Sequence, residues 1–259
     1  MDPIAPTLDD DGVMDFVAAG LVVLEGLIGP GFNRHCDDLA PGNCDAFIAS
    51  ADFTREVLLH PQVAGVARSL LGADFLVPRG GHHHFFKEPH LGQTWHSDGL
   101  SGSGYDVTEL QCYYYPHTVA IEDGPTMVLP GSHCRAVDRE AIAHYGDIRG
   151  QVSLTVPAGT VTLTRYGIWH KAGSKTNDRT RSMIKFSYHL TAEPLRDWLC
   201  EIPEAPTFRD RPRWDYVTEV ESCRDKVRRT RTWDWLCGSD REVALRWERS
   251  RPVSELFNT

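Results

Sequence analysis

The chain lacks the marks of several broad classes of protein. It has no apolar run long enough to cross a bilayer, and Met1-Asp2-Pro3 leads into acidic residues, not into the basic and then apolar start of a signal peptide. Acidic residues outnumber basic residues by 36 to 27, which gives a formal net charge of -9. A general nucleic-acid binder needs a basic surface that displaces counterions from phosphates. We therefore expect a soluble, cytoplasmic protein that binds neither membranes nor nucleic acid.

The chain also lacks a cysteine framework. Its cysteines are odd in number, widely scattered and without a CxxC pair, so neither a set of structural disulfides nor a zinc ribbon is indicated. We expect reduced thiols at all seven positions, which are Cys36, Cys44, Cys112, Cys134, Cys200, Cys223 and Cys237.

The length and periodicity of the chain indicate one mainly β domain. With 259 residues, of which 41% are hydrophobic, the chain can enclose one substantial core, and we expect a single domain over residues 1–259. Apolar residues recur at helical spacing between Ala51 and Leu71. From Phe75 onward, short strand-like runs are separated by glycine and proline, which favours a sandwich or barrel with flanking helices. The predicted strands lie at residues 20–24, 108–115, 126–129, 152–156, 160–164 and 183–190.

One short motif, His96-Ser97-Asp98, has the spacing of two ligands to one metal ion. In an extended strand, residues i and i+2 point to the same side, so His96 and Asp98 can bind one ion while Ser97 points away. His170 follows an apolar strand-like run and can supply a third ligand. Two histidines and one carboxylate hold Fe(II) on one face and leave the opposite face open. His96, Asp98 and His170 are therefore the predicted iron ligands.

Arg181 lies eleven positions beyond His170, far enough for one turn and a return strand. A guanidinium group near the metal suits the far carboxylate of a dicarboxylate co-substrate, because its planar fork donates two parallel hydrogen bonds and keeps its charge. Arg179 is a competing candidate, but Arg181 begins the apolar strand and is preferred. Iron together with a carboxylate anchor suggests 2-oxoglutarate as co-substrate.

Four stretches in this order resemble the phytanoyl-CoA dioxygenase family, a branch of the Fe(II)/2-oxoglutarate-dependent oxygenases. The similarity runs from about residue 12 to about residue 190, and the final part of the chain, residues 191–259, matches nothing in the family. The stretches are residues 16–25 (FVAAGLVVLE), residues 95–98 (WHSD), residues 123–133 (DGPTMVLPGSH) and residues 169–173 (WHKAG), the last followed by Asn177 and Arg181.

The resemblance implies a double-stranded β-helix, a jelly-roll or cupin-like core with helices packed outside. It implies that 2-oxoglutarate and O2 meet on Fe(II), and that decarboxylation of 2-oxoglutarate is coupled to oxidation of a C–H bond. Asp98 favours hydroxylation over halogenation, since related halogenases carry a small residue at this ligand position. Desaturation and cyclisation are other outcomes of the same chemistry.

Several substrates and one non-catalytic function fit the same motifs. The expected substrate is a small molecule of specialised metabolism, and an acyl-CoA, an amino acid or a phosphonate are alternatives. A metal-binding β-helix protein that senses or binds without turnover is the competing class. Arg181 favours the enzyme, because a simple metal binder has no evident need for a dicarboxylate anchor.

Other polar residues are candidates for the same cavity. By strand alternation Gln111, Tyr113 and Tyr115 share one face, and Tyr113 falls where the family often places an aromatic residue beside 2-oxoglutarate. Packing in the core is the alternative for these side chains. His82 and His84 share a face, with His83 on the other, so His82 or His84 is a candidate for binding polar groups of a ligand, in preference to a second metal site. Gln111 and His84 are the further candidates for binding the co-substrate. Lys87 and His90 are candidates for the edge of the cavity. His133 is expected to stabilise its own turn.

The C-terminal region, residues 191–259, concentrates tryptophan and arginine. It is interpreted either as a lid that binds an anionic or aromatic substrate or as a packed helical cover. In the second case its arginines pair with acidic residues of the N-terminal third, within one chain or across a homodimer. The residues concerned are Trp198, Trp214, Trp233, Trp235, Trp247, Arg224, Arg228, Arg229 and Arg231, opposite Asp9, Asp10, Asp11, Asp37, Asp38 and Asp45.

Overall fold

The computed structural model of the protein describes residues 4–99, 104–135, 138–201 and 218–238. Within these residues the strands form two antiparallel sheets. The strands are β1 (Leu21–Leu24), β2 (Gly42–Asn43), β3 (Phe75–Leu76), β4 (His82–Phe86), β5 (Glu109–Tyr115), β6 (Thr126–Leu129), β7 (Val152–Ser153), β8 (Thr160–Arg165), β9 (Trp169–Ala172) and β10 (Arg181–Leu190).

Helices precede the strand-rich part of the chain and return near its end. The first helix begins where Asp9 accepts a hydrogen bond from the Gly12 amide, and it ends at Gly20, whose φ of 80° is left-handed. The helices are α1 (Asp10–Ala19), α2 (Pro30–Asn33), α3 (Asp45–Ile48), α4 (Ala51–Phe53), α5 (Pro61–Leu71), α6 (Arg139–Ala143) and α7 (Glu219–Leu236), with 3-10 turns at Arg34–Cys36 and Ser132–Cys134 and a π-helical turn at Thr54–Leu58.

The larger sheet has the strand order β1-β8-β5-β10-β4-β2, with β3 also paired to β10, and the smaller sheet has the order β7-β6-β9. In the larger sheet Lys185 of β10 lies opposite Tyr113 of β5, and Met183 lies opposite His84 of β4. Strand alternation therefore places the odd-numbered residues of β5 and β10 on one face. The predicted mainly β fold with flanking helices is confirmed.

The core has three parts that follow this alternation. Even-numbered residues of β5 and β10, such as Tyr114 and Phe186, pack against the helices in the largest apolar cluster. On the opposite face, Tyr113, Tyr115 and Met183 pack against residues that include Val128 of the smaller sheet. A third cluster, with Trp95 and Trp169, includes outward-facing residues of the smaller sheet. The space between the two sheets is thus lined by one face of each.

The predicted strands match the structure closely, and two segments differ. The predicted strand at residues 152–156 is only the two residues of β7. The segment with helical spacing, Ala51 to Leu71, is broken into α4, the π-helical turn and α5. The break lies at His60, because Pro61 has no amide proton for the preceding turn and instead occupies the first position of α5.

The described part of the C-terminal region is a helical cover. The Trp198 indole donates to Asp10 of α1 over 2.7 Å and packs edge-on against Trp233 of α7, and Arg196 pairs with the same aspartate at 3.1 Å. None of the described residues of α7 lines either of the cavities described below. The packed cover is therefore the better account of α7.

The predicted partners of the α7 arginines are wrong in two cases. Arg224 pairs with Glu221 and Arg228 lies 3.7 Å from Asp225, both three positions away in the same helix. Acids at this spacing are nearer than any acid of the N-terminal third. Trp214 and Trp247 lie outside the described residues, so their role in a lid stays a prediction. None of the described helices combines the length and apolar composition needed to span a bilayer.

Gly159 supports the start of β8, and replacing it tests the packing of the larger sheet. Its φ is 82°, and an added Cβ would lie 2.1 Å from the carbonyl oxygen of Ile28. We expect Gly159→Ala to lower the free energy of unfolding by about 3 kcal/mol, through backbone strain and displacement of Ile28. The measurement is equilibrium denaturation in urea.

Gly26→Ala is the matched control for this substitution. Gly26 has a φ of 60°, but its nearest neighbour would be 3.9 Å from an added Cβ. An alanine there would strain only the left-handed backbone, so we expect the free energy of unfolding to fall by about 1 kcal/mol. Equal losses for both variants would contradict the close approach of Ile28 to Gly159.

Candidate active site

Two backbone hydrogen bonds join the predicted metal ligands from distant parts of the chain. The His96 amide donates to the His170 carbonyl oxygen over 3.0 Å, and the His170 amide donates to the His96 carbonyl oxygen over 2.8 Å. His170 is the second residue of β9, but His96 forms only an isolated bridge. The prediction of a strand through His96 and Asp98 is wrong, because the chain bends at Asp98 and Gly99 directly after this bridge.

His96, Asp98 and His170 form a compact group with the size of a single-ion site. One potential ligand atom from each residue lies within 4.8 Å of the other two. The His170 Nε2 atom is 3.6 Å from Asp98 Oδ2, and the two imidazole centroids are 4.5 Å apart. Ser97 takes no part, since its hydroxyl donates to the Gly99 carbonyl. The structure thus brings the three predicted ligands together.

Both imidazoles are held in the tautomer that a metal requires. His96 Nδ1 lies 2.9 Å from the Thr94 carbonyl oxygen, and His170 Nδ1 lies 3.1 Å from the Ile168 carbonyl oxygen. A carbonyl only accepts hydrogen bonds, so each Nδ1 carries the proton and each Nε2 keeps its lone pair. Burial and the neighbouring His96 lower the pKa of His170 to about 4, which keeps it neutral at pH 7. The donor set of two nitrogens and one carboxylate fits Fe(II).

Asp98 is kept ionised by its neighbours. Burial raises the pKa of this carboxyl group, but Lys185, His170 and Gln111 outweigh burial and lower the pKa to about 2. The Lys185 ammonium group is 2.5 Å from Asp98 Oδ2, and the Gln111 amide donates to the same oxygen over 2.6 Å. Tyr113 in turn donates to the Gln111 amide oxygen. A chain of hydrogen bonds therefore orients the carboxylate.

Arg181 is a buried cation that forms no ion pair with any of the described residues, and Asp123 acts on it only from a distance. Its side chain is only 2% exposed, and it donates from Nη2 to the Thr126 hydroxyl oxygen over 2.8 Å. Its Nε has no hydrogen-bond partner, and in the described part of the chain no carboxylate lies within ion-pair distance of it. Burial lowers the pKa of Arg181, but arginine stays charged in proteins. An unpaired buried guanidinium is costly unless a ligand supplies the anion.

The turn between His170 and Arg181 is held by a separate polar cluster. Asp123, 2% exposed, accepts from the Arg179 guanidinium over 3.0 Å and from the Asn177 amide over 2.9 Å. The Lys175 ammonium group binds Asn177. Arg179 therefore belongs to this cluster, and the preference for Arg181 as the buried arginine is supported. The strand after the turn does not pair with β9, because β10 belongs to the other sheet.

His96, His170 and Arg181 share a narrow space between the sheets, here called the inner chamber. Tyr113 and His84, both predicted from alternation, lie in its wall. His84 Nε2 is buried without a partner, and burial lowers the pKa of this histidine to about 3. The lining residues are His84, Phe86, Gln93, His96, Tyr113, Thr126, His170, Lys171, Ala172, Arg181, Met183 and Lys185.

A wider cavity of about 620 Å³, here called the outer cavity, opens on the other side of Asp98. Gln111 and His82 contribute to it, whereas the predicted edge residues Lys87 and His90 line neither space. His83 faces away and bonds to Ser182, as alternation predicts. The lining residues are Leu76, Val77, Pro78, Arg79, Gly80, Gly81, His82, Asp98, Glu109, Gln111, Tyr166, Lys185, Phe186, Ser187 and His189.

A comparison with protein families shows to which family the chain belongs. The family model described as phytanoyl-CoA dioxygenase (PhyH) matches residues 33–183, more than half of the chain. The chain belongs to this family. A relative of this PhyH protein, dioxygenase af480 from Aspergillus fumigatus, is 24% identical over 157 residues, which are 59% of this chain and 50% of the relative. The chain thus spans about half the length of that relative.

Several solved structures have a similar fold. HygX from Streptomyces hygroscopicus is 17% identical with a TM-score of 0.58, over 72% of this chain and 88% of HygX. EctD from S. alaskensis is 19% identical with a TM-score of 0.57, over 73% and 82% of the two chains. SnoN, an epimerase from nogalamycin biosynthesis, is 19% identical with a TM-score of 0.53, over 69% and 79%. These likenesses support the double-stranded β-helix predicted for a PhyH protein.

Two residues of this PhyH site, Lys185 and Thr126, were not predicted from the sequence. Lys185 lies on the same face of β10 as Arg181, because the two are four positions apart in a strand, and that alternation was a usable signal. Thr126 lies inside the family-like stretch of residues 123–133, where its hydroxyl had no distinguishing pattern. His133, as predicted, stabilises its turn, with Nε2 3.1 Å from the Val17 carbonyl oxygen.

Replacing Asp123 tests how the turn before β10 supports this PhyH site. Burial raises the pKa of Asp123, but hydrogen bonds from Ala120, Asn177 and Arg179 outweigh burial and lower it below 3.8. We expect Asp123→Asn to lower the free energy of unfolding at pH 7 by about 2 kcal/mol. Because the folded pKa is depressed, the contribution is present above about pH 4 and is lost as the pH falls through the folded pKa.

The measurement is urea denaturation of wild type and variant at pH 7 and near pH 3, where the difference between them should shrink. Asp178→Asn is the control, since Asp178 is an exposed acid of the same turn. A loss for Asp178→Asn as large as that for Asp123→Asn would contradict the cluster.

Proposed function

We propose that this PhyH protein is an Fe(II)- and 2-oxoglutarate-dependent dioxygenase that oxidises, by hydroxylation, a C–H bond of a small molecule in specialised metabolism. The observation that carries the proposal is Arg181, a buried guanidinium that shares a narrow chamber with His96 and His170, the two histidines that form a candidate metal site with Asp98. A metal-binding protein without turnover gives no reason for this unpaired cation. A dicarboxylate co-substrate supplies the missing anion.

His96 and His170 hold the iron through Nε2, and Asp98 holds it through its carboxylate. When bound, Fe(II) and 2-oxoglutarate supply the activation of O2 for oxidation of a C–H bond. Asp98 occupies the position that a halide needs in related halogenases, which favours hydroxylation. Gln111 and Lys185 orient this carboxylate, and Tyr113 orients Gln111.

Arg181 and Thr126 bind the far carboxylate of 2-oxoglutarate. Thr126 Oγ1 accepts from Arg181 over 2.8 Å and from Tyr115 over 2.9 Å, so its own hydroxyl proton is left for a ligand in the chamber. His84 and Tyr113 flank the same space and restrict how the co-substrate lies. Because Tyr113 is buried, its pKa is raised and its hydroxyl stays a donor.

The substrate class rests on the outer cavity and on the relatives. A cavity of about 620 Å³ has the size of small-molecule sites, and it reaches Asp98 from outside the inner chamber. SnoN belongs to nogalamycin biosynthesis, and HygX has been solved with nickel and 2-oxoglutarate bound. These relatives support a role in specialised metabolism.

An anaerobic titration tests the function. Metal-free protein receives Fe(II) and then 2-oxoglutarate, and the weak visible charge-transfer band of the chelated complex is recorded. We expect the band in wild type and its loss in His170→Ala. Arg181→Met should need about a hundredfold more 2-oxoglutarate, because two charge-assisted hydrogen bonds are lost.

Arg179→Met is the matched control, since it removes the same charge from the neighbouring turn and leaves the inner chamber intact. We expect its titration to follow wild type. If wild type binds Fe(II) and gives no band with 2-oxoglutarate, the oxygenase proposal is wrong and a metal-binding sensor is the better account.

Thr126 gives a finer test of the co-substrate anchor. Thr126→Val removes the hydroxyl that holds Arg181 and faces the ligand, so the 2-oxoglutarate concentration at half-saturation should rise about tenfold. Tyr115→Phe removes only the hydrogen bond that Tyr115 donates to the Thr126 hydroxyl. It should change the 2-oxoglutarate concentration at half-saturation little. The band titration above measures both. An equal rise in the two variants would contradict a direct contact between Thr126 and 2-oxoglutarate.

A further inference from the structure

Lys185 occupies a position between the two cavities. In the described part of the chain it is the residue that the linings of the inner chamber and the outer cavity share. It belongs to β10, opposite Tyr113, and its side chain is 24% exposed. The ammonium group contacts Asp98 Oδ2, and no other carboxylate of the described residues lies within ion-pair distance of it.

In the loaded site Lys185 keeps its contact with Asp98, but its charge is not balanced. The inference rests on the proposed function, in which Fe(II) and Arg181 carry three positive charges and 2-oxoglutarate and Asp98 carry three negative charges. These balance, and the histidine ligands are neutral. The ammonium of Lys185 is then one positive charge in excess, in a largely buried place where an unbalanced charge is costly.

Other charged residues near Lys185 do not restore the balance. Lys171 also lines the inner chamber, but its ammonium group has Asp147 at 3.6 Å. Glu109 lies in the wall of the outer cavity, four positions along β5 from Tyr113, the partner of Lys185. At the rise of a strand this separation is about 13 Å, too far for an ion pair. A molecule in the outer cavity, which Lys185 lines, can supply the counter-ion.

We propose that Lys185 binds an oxyanion of the primary substrate, so that the substrate carries a carboxylate or phosphoryl group close to the carbon that is oxidised. Only the Lys185 ammonium group separates an anion bound to it from Asp98. The anion is therefore close to the metal that Asp98 would hold. An acyl-CoA does not meet this requirement, because a long arm separates its phosphates from the acyl chain. Lys185 is thus a specificity-determining residue, and Arg79 is a second cation in the lining of the same cavity.

The test measures anion binding without turnover. Protein loaded with Co(II) and saturated with 2-oxoglutarate, so that Arg181 is occupied, is titrated by calorimetry with matched probes. The probes are benzoate against benzamide, hexanoate against hexanamide, and phenyl phosphate. We expect wild type to bind each carboxylate about tenfold more tightly than its amide. Phenyl phosphate against benzoate shows which oxyanion is preferred.

Three variants assign this preference to Lys185. Lys185→Met should lose it, and Lys185→Arg, which keeps the charge, should retain it. Lys87→Met is the matched control, because Lys87 is exposed and lines neither cavity. The Co(II) affinity of each variant is measured first.

Equal affinity of wild type for acid and amide, or no binding of either, overturns the proposal. A preference for the carboxylate that survives in Lys185→Met also overturns the proposal. If that variant differs from wild type only in binding Co(II) more weakly, the role of Lys185 is to orient Asp98 and not to bind the substrate. These results are separate from the Fe(II) and 2-oxoglutarate band. A missing band in wild type refutes the proposed function, whereas a normal band without anion preference refutes only the role of Lys185.

Discussion

The active site depends on the pair of backbone hydrogen bonds between His96 and His170. They attach an irregular segment to the smaller sheet and bring two imidazoles within 4.5 Å, centroid to centroid. Each ring then donates its Nδ1 proton to a local carbonyl, and this choice of tautomer leaves Nε2 for a metal. Asp98 follows at the bend, so backbone geometry, not side-chain packing, assembles the three ligands.

The active site also depends on the different environments of two nearby arginines, Arg179 and Arg181. Arg179 lies in the turn, largely exposed, and is neutralised by Asp123. Arg181 begins β10 and points between the sheets, where Thr126 orients it and no acid of the described residues pairs with it. Of the described carboxylates, Asp123 acts on Arg181 from a distance, and the guanidinium is otherwise available to a ligand in the inner chamber. The described residues of α7, by contrast, line neither cavity, and Trp233 of α7 packs against Trp198, whose indole donates to Asp10 of α1.

Local periodicity and ordered motifs predicted much of this arrangement. Alternation in β5 and β10 correctly separated Tyr113 from Tyr114, and alternation in β4 separated His84 from His83. Predictions failed where long-range contacts decide local structure. The segment at His96 is extended only at its one bridge to His170, and β10 leaves β9 for the other sheet. Neither result follows from propensity, because strand pairing is decided by partners far away in the chain.

The sequence by itself determined the family, the ligand types, and which residues of each strand share a face, since these follow from motif order and a period of two. Only the tertiary structure decided which faces meet. It placed Arg181 without an acid, joined Lys185 to Asp98, and put Thr126 beneath the guanidinium. The physical reason is that burial and charge balance are properties of a three-dimensional neighbourhood, in which residues from β5, β6, β9 and β10 share one small volume.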